Sequence, residues 1–180
     1  MITYSPIAHP PIAHPATAYW PAAWTGFGTT LATATAALAG LLFVAVSINI
    51  QRILDNPGLP ERAGQTLILF ATPLVTALLL IVPGQPRAAL SAELIVLGVV
   101  IGAYQLRLDL RAGQSEYETR ASRLLVRIAP PVINGGCMVV AGATLLAQAG
   151  GGLYWLVPGA LAAIVAGLVN AWVLLVEILR

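Results

Sequence analysis

The chain has 180 residues, of which 58% are hydrophobic and only 9% charged, with a net charge of +2. Soluble domains hold about 45–50% apolar and ~25% charged residues, so a water-soluble globule is excluded, because it could not cover this much Leu, Val and Ala. So few charges leave no basic surface for nucleic acid, and the single cysteine, Cys137, excludes an intrachain disulfide and offers no metal-ligand spacing.

The first residues carry no Lys or Arg, and Pro6, Pro10, Pro11 and Pro15 interrupt any apolar core, so they do not read as a signal peptide. They contain a tandem duplication, Pro6-Ile7-Ala8-His9-Pro10 followed by Pro11-Ile12-Ala13-His14-Pro15. This proline density predicts an extended, polyproline-like arm over 1–21. Tyr19, Trp20 and Trp24 follow as an aromatic anchor for the membrane–water boundary.

Residues 22–180 then read as an all-α membrane domain of five transmembrane helices, at about 22–51, 61–83, 87–107, 130–149 and 153–179. Each supplies the ~20 apolar residues that a bilayer crossing needs. The first is long, ~43 Å at ~1.5 Å per residue, so it should tilt or protrude. Its small residues repeat every four, as Thr25, Thr29, Thr33, Ala37 and as Ala32, Ala36, Gly40. In the second, Pro73 should kink the helix and free the Leu69 carbonyl, with Thr72 or Thr76 supplying a replacement bond.

The short Pro83–Pro86 turn predicts an antiparallel hairpin of the second and third helices. The third carries Gly98 and Gly102, a GxxxG pair. A cytoplasmic interfacial segment is expected over 107–129, with Ser115 and Glu118 as a capping box and Glu116 and Arg120 at helical spacing. Pro130-Pro131 opens the fourth helix. Gly150-Gly151-Gly152 turns into the fifth, which carries the stripe Gly159, Ala163, Gly167 and Ala171.

Charge fixes an expected orientation. Of nine Arg, eight lie in alternate gaps: Arg52 and Arg62; Arg107, Arg111, Arg120, Arg123 and Arg127; Arg180. Only Arg87 lies on the other side. By the positive-inside tendency the arginine-rich gaps face the cytoplasm, giving an extracytoplasmic N-terminus and a cytoplasmic C-terminus.

Glu93 is the candidate functional acid, six residues after Arg87 and roughly 9 Å below the surface. A carboxylate at that depth is costly and suits a proton or cation site. The plainer reading is an interfacial acid reached by water. Asn170 and Glu177 lie seven apart on one face of the fifth helix, with Asn49 near the same cytoplasmic depth on the first, and form a candidate polar cluster, which serves either helix packing or a substrate path. The two glycine stripes, Gly98/Gly102 and Gly159/Ala163/Gly167/Ala171, serve intrachain packing or a partner. His9, His14, Tyr19 and Trp20 form a candidate partner-docking arm. Five-residue histidine spacing fixes no metal geometry, and neither a catalytic set nor a cofactor motif is present.

Four stretches carry a family resemblance: Ala39–Asn49, Val82–Gln85, Gly152–Pro158 and Asn170–Arg180. Together they resemble a group of small actinobacterial integral membrane proteins, some labelled "modulator of FtsH protease". The resemblance runs from about Trp20 onward and excludes the His-Pro arm. It implies a bacterial plasma (inner) membrane and assigns no functional residue. The sequence thus points to a non-catalytic accessory or regulatory subunit of a larger membrane complex, in contact with membrane lipids. The alternatives are a homo-oligomer and a small oligomeric channel or transporter built on Glu93.

Overall fold

A computed structural model of the chain describes residues 14–56, 58–111 and 129–179. His9, the Ser115–Glu118 capping box, the Glu116/Arg120 pair and most of the expected interfacial segment lie outside the described residues. Among the described residues there are six α-helices: α1 (Thr25–Ile48), α2 (Ile50–Asp55), α3 (Leu59–Leu80), α4 (Arg87–Arg111), α5 (Ala129–Ala147) and α6 (Leu156–Leu179). Five of them, all but α2, are long and apolar enough to cross a membrane. No strand occurs among the described residues.

Local chemistry sets the helix ends. Asn49 stops α1, because its side-chain amide donates to the Ala45 carbonyl at 2.9 Å and its backbone N–H drops to Val46. The expected 22–51 helix is therefore broken, and α2 resumes at Ile50 with Ile53 almost wholly buried. Gly58 enters α3 with φ +90°, and Pro60 and Glu61 occupy its first turn. Gly150, Gly151 and Gly152 all have positive φ and turn the chain into α6.

Pro73 lies inside α3, which runs unbroken from Leu59 to Leu80. The hydroxyl of Thr72 donates to the Ile68 carbonyl at 2.7 Å and that of Thr76 to the Thr72 carbonyl at 2.9 Å. Neither bonds the Leu69 carbonyl: Thr72 takes the carbonyl four residues back rather than the one three back, and Thr76 lies too far along the helix.

The spans pack in the order α1, α3, α6, α5, α4, with the α4–α5 contact the most extensive. The hairpin partners α3 and α4 share little surface by comparison. The reason lies in the glycines of α4 and α5. A methyl group on Gly98 would stand 2.7 Å from the Gly135 carbonyl oxygen, and one on Gly142 would stand 2.6 Å from the Ser91 carbonyl oxygen. Two helices approach this closely only where neither has a side chain in the way. Gly135 and Gly142 are seven apart, as are Ser91, Gly98 and Gln105, and all five are buried. A seven-residue period keeps a seam facing its partner along a left-handed crossing.

At one end, where both short turns lie, Trp24, Leu80, Leu90, Leu94, Met138, Leu145 and Leu153 form a core drawn from all five spans. Toward the arginine-rich end, Leu42, Ile53, Leu59, Phe70 and Leu174 unite α1, α2, α3 and α6.

Candidate functional site

The two glycine stripes, on α4 and α6, are used within the chain. Gly98 and Gly102 lie against Gly135. Gly159 lies against Asn134 and Cys137 of α5, and Gly167 against the Phe70 ring of α3. Ala163 is fully buried with Leu69 and Ala166, and Ala171 packs beside Leu42 and Leu174. Neither stripe is left over for a partner.

The surface that is left over belongs to α1. Its buried positions, Gly28, Leu31, Thr35 and Leu42, face α3 and α6. On the opposite side Gly26, Thr30, Thr33, Ala37, Gly40, Val44 and Ser47 are all exposed. Their spacing alternates four and three without a break, and the first five are small. Thr30 and Thr33 bond their own helix at 2.9 Å, so their hydroxyls present no unmet donor. Only 17% of this span's most apolar stretch is buried, against 50% for α3. The sequence reading saw small residues on α1 but not that they divide into two opposed seams; the four-three spacing was the signal.

The arm residues nearest the domain fold back onto it. The Trp24 indole N–H donates to the Thr17 carbonyl at 2.8 Å, and its ring meets Tyr154 edge-on at 4.9 Å. Tyr19 accepts a hydrogen bond from the Gly151 N–H at 3.3 Å. Gly152 sits so close to the Ala18 carbonyl that no side chain would fit. Tyr19, expected to dock a partner, instead serves as an intrachain clasp, because three glycines open a backbone slot for it. Trp20 remains 61% exposed. His14 opens a 3₁₀ turn, His14–Tyr19.

The expected polar cluster does not assemble. Glu177 pairs with Arg62 at 3.0 Å, and Asn49 bonds its own helix. Asn170, half-buried, bonds neither of them. Glu177 and Asn49 each bond a nearer group than the other two residues of the expected cluster.

Glu93 lies at the short-turn end, where Gln85 Nε2 donates to its carboxylate. The amide's other atom, Gln85 Oε1, is buried with no donor. Arg87 is exposed and makes no ion pair among the described residues. Gln85 and Arg87 both line a cavity of about 760 Å³, walled also by Tyr19, Trp20, Leu80 and Val82. A second, wholly apolar groove of about 250 Å³ lies between α1, α2 and α3, beside Phe43, Ile53 and Leu67. Among the described residues no group of three or more His, Cys, Asp or Glu converges as a metal site would require.

Comparison with family models, with curated proteins and with solved structures finds no match.

Proposed function

We propose that this chain is a non-catalytic integral membrane subunit that docks the outer seam of α1 against a transmembrane helix of a larger membrane complex. The observation carrying this reading is the uninterrupted Gly26, Thr30, Thr33, Ala37, Gly40 seam, exposed while the glycine stripes of α4 and α6 are packed within the chain. In lipid no hydrophobic force draws helices together, so association depends on close van der Waals approach, which small residues permit. A seam at a seven-residue period suits a long, left-handed crossing rather than a single contact point. Lipid tails are poor at filling a flat helical face that a second helix would fill.

The arginine distribution supports a plasma-membrane topology with the short-turn end outside and the C-terminus in the cytoplasm. The resemblance to small actinobacterial membrane proteins supports the same compartment.

The test is a photo-crosslinking amino acid placed at Thr33 in native membranes, with Leu161, exposed on α6, as the control. Thr33 should give a cross-link to one distinct membrane protein, identified by mass spectrometry, that Leu161 does not give. Cross-links only to a second copy of the chain, or none beyond lipid, would overturn the proposal.

A further inference from the structure

The cavity at the short-turn end has the size of a ligand site, within the ~300–1,000 Å³ range that such sites span. Its wall is made where spans end. Trp20 and Thr25 come from the start of the first span, Leu80 and Val82 from the end of α3, Arg87 from the start of α4 and Gln148 from just past α5. The cavity therefore lies where the apolar part of each helix gives way to the turns. An exposed tryptophan at such a place marks the depth at which a lipid headgroup meets its acyl chains.

The charge of this wall is one-sided. Arg87 is its one charged residue, and no carboxylate lies on it. Arg87 is exposed and makes no ion pair among the described residues. It opens α4, whose first turn holds no acid, so the helix dipole adds to its positive field. A guanidinium is a fork of donors with no acceptor, matched to the oxygens of a phosphate. Gln148 adds a neutral polar group. It follows the last residue of α5 with φ +53°, a left-handed backbone that glycine adopts without strain. Glycines stand at 150, 151 and 152, yet this position carries a long amide side chain, and the residue lies on the cavity wall. The wall thus offers a cation and an amide donor above an apolar floor, with nothing to receive a second cation.

We infer that this cavity binds an anionic phospholipid of the leaflet at the short-turn end, one whose headgroup carries a phosphodiester and hydroxyls but no ammonium. The phosphodiester lies at Arg87, and the Gln148 amide donates to the headgroup oxygens. The glycerol and upper acyl region runs along Trp20, Leu80 and Val82. A headgroup bearing an ammonium fits less well, because the wall has no carboxylate to meet it. A diacylglycerol fits the apolar floor but leaves Arg87 without an anion. Binding here needs no partner on α1.

The test uses the full chain, delipidated in mild detergent, and native mass spectrometry. A phosphatidylglycerol, a phosphatidylcholine and a diacylglycerol with identical acyl chains compete at equal concentration. The tightest-held lipid should be one phosphatidylglycerol, retained about fivefold or more over phosphatidylcholine, with diacylglycerol weaker still. Arginines elsewhere also attract anionic lipid, so the control is Arg107→Gln, an exposed arginine toward the other end of the same helix. Arg87→Gln should weaken the first phosphatidylglycerol about fivefold or more, and Arg107→Gln less than about twofold. Gln148→Gly, which suits the left-handed backbone, should keep the fold and still weaken that lipid about twofold or more. Circular dichroism and thermal melting confirm that each variant is folded, and the wild-type competition stands alone where one is not. Equal retention of phosphatidylglycerol and phosphatidylcholine, no loss in Arg87→Gln, or equal losses in Arg87→Gln and Arg107→Gln would each overturn the inference. Unchanged affinity in Gln148→Gly would overturn its glutamine half. Displacement by millimolar glycerol 3-phosphate as efficient as by the lipid would overturn its membrane half.

Discussion

Replacing Gly98 by alanine puts a methyl group 2.7 Å from the Gly135 carbonyl oxygen and 3.0 Å from both Met138 Cβ and Val139 Cγ2. Favourable carbon–oxygen contacts sit at about 3.3–3.6 Å, so α4 and α5 must separate by roughly 0.6 Å or more. Overpacking of this kind costs about 1–3 kcal/mol. The same replacement at Gly102, one turn on, meets only Gly135 Cα at 3.9 Å, an ordinary contact. Both alanines gain the same helix propensity, up to about 1 kcal/mol. The difference between them is then about 1–3 kcal/mol, a factor of roughly 5 to 150 in the folding equilibrium. Gly136→Ala, which has nothing within 4 Å, calibrates the propensity gain alone. Equilibrium unfolding in detergent micelles, or steric trapping in bilayers, reads all three. Gly98→Ala should be the least stable, and Gly102→Ala should resemble Gly136→Ala. Equal stabilities for Gly98→Ala and Gly102→Ala would refute the close α4–α5 approach.

Two further outcomes follow from the ends of the bundle. Trp24→Phe removes the N–H that bonds the Thr17 carbonyl together with part of a buried ring, so stability in detergent should fall by at least about 1 kcal/mol; an unchanged melting temperature would argue against the clasp. Arg62 and Glu177 pair with side chains 34% and 43% exposed, so a double-mutant cycle with glutamine at both positions should give a coupling below about 1 kcal/mol. A larger coupling would mean that the pair is shielded from water in the membrane.

The spans themselves were legible because hydropathy is a property of composition, and Leu, Val and Ala runs need no knowledge of neighbours. Neighbour order was not. Gly98, Gly135, Gly142, Gly159 and Gly167 all look alike as letters, and which pairs meet depends on their heights once the helices stand side by side. Gly135 and Gly142 carry a seven-residue spacing that matches Ser91, Gly98 and Gln105, but nothing in the letters says that the two sets meet. The break at Asn49 was hidden by apolar residues on either side, and only the amide's bond to Ala45 ends the helix. Glu93 was legible as an acid at shallow depth. Its attachment to Gln85 was not, since that depends on how the Pro83–Pro86 turn aims the glutamine.

The clasp between Thr17–Trp24 and Gly151–Tyr154 joins parts of the chain 137 residues apart at its extremes. During synthesis at about 5–20 residues per second, the first segment waits on the order of ten seconds for its counterpart to be made. Until then the first span has its lateral neighbour α3 but nothing fastening its leading edge. Closure of the clasp therefore requires that α5 and the glycine turn after it have been made. A ribosome that stalls before Gly151, or a protease that trims there, leaves Trp24 and Tyr19 without their seats.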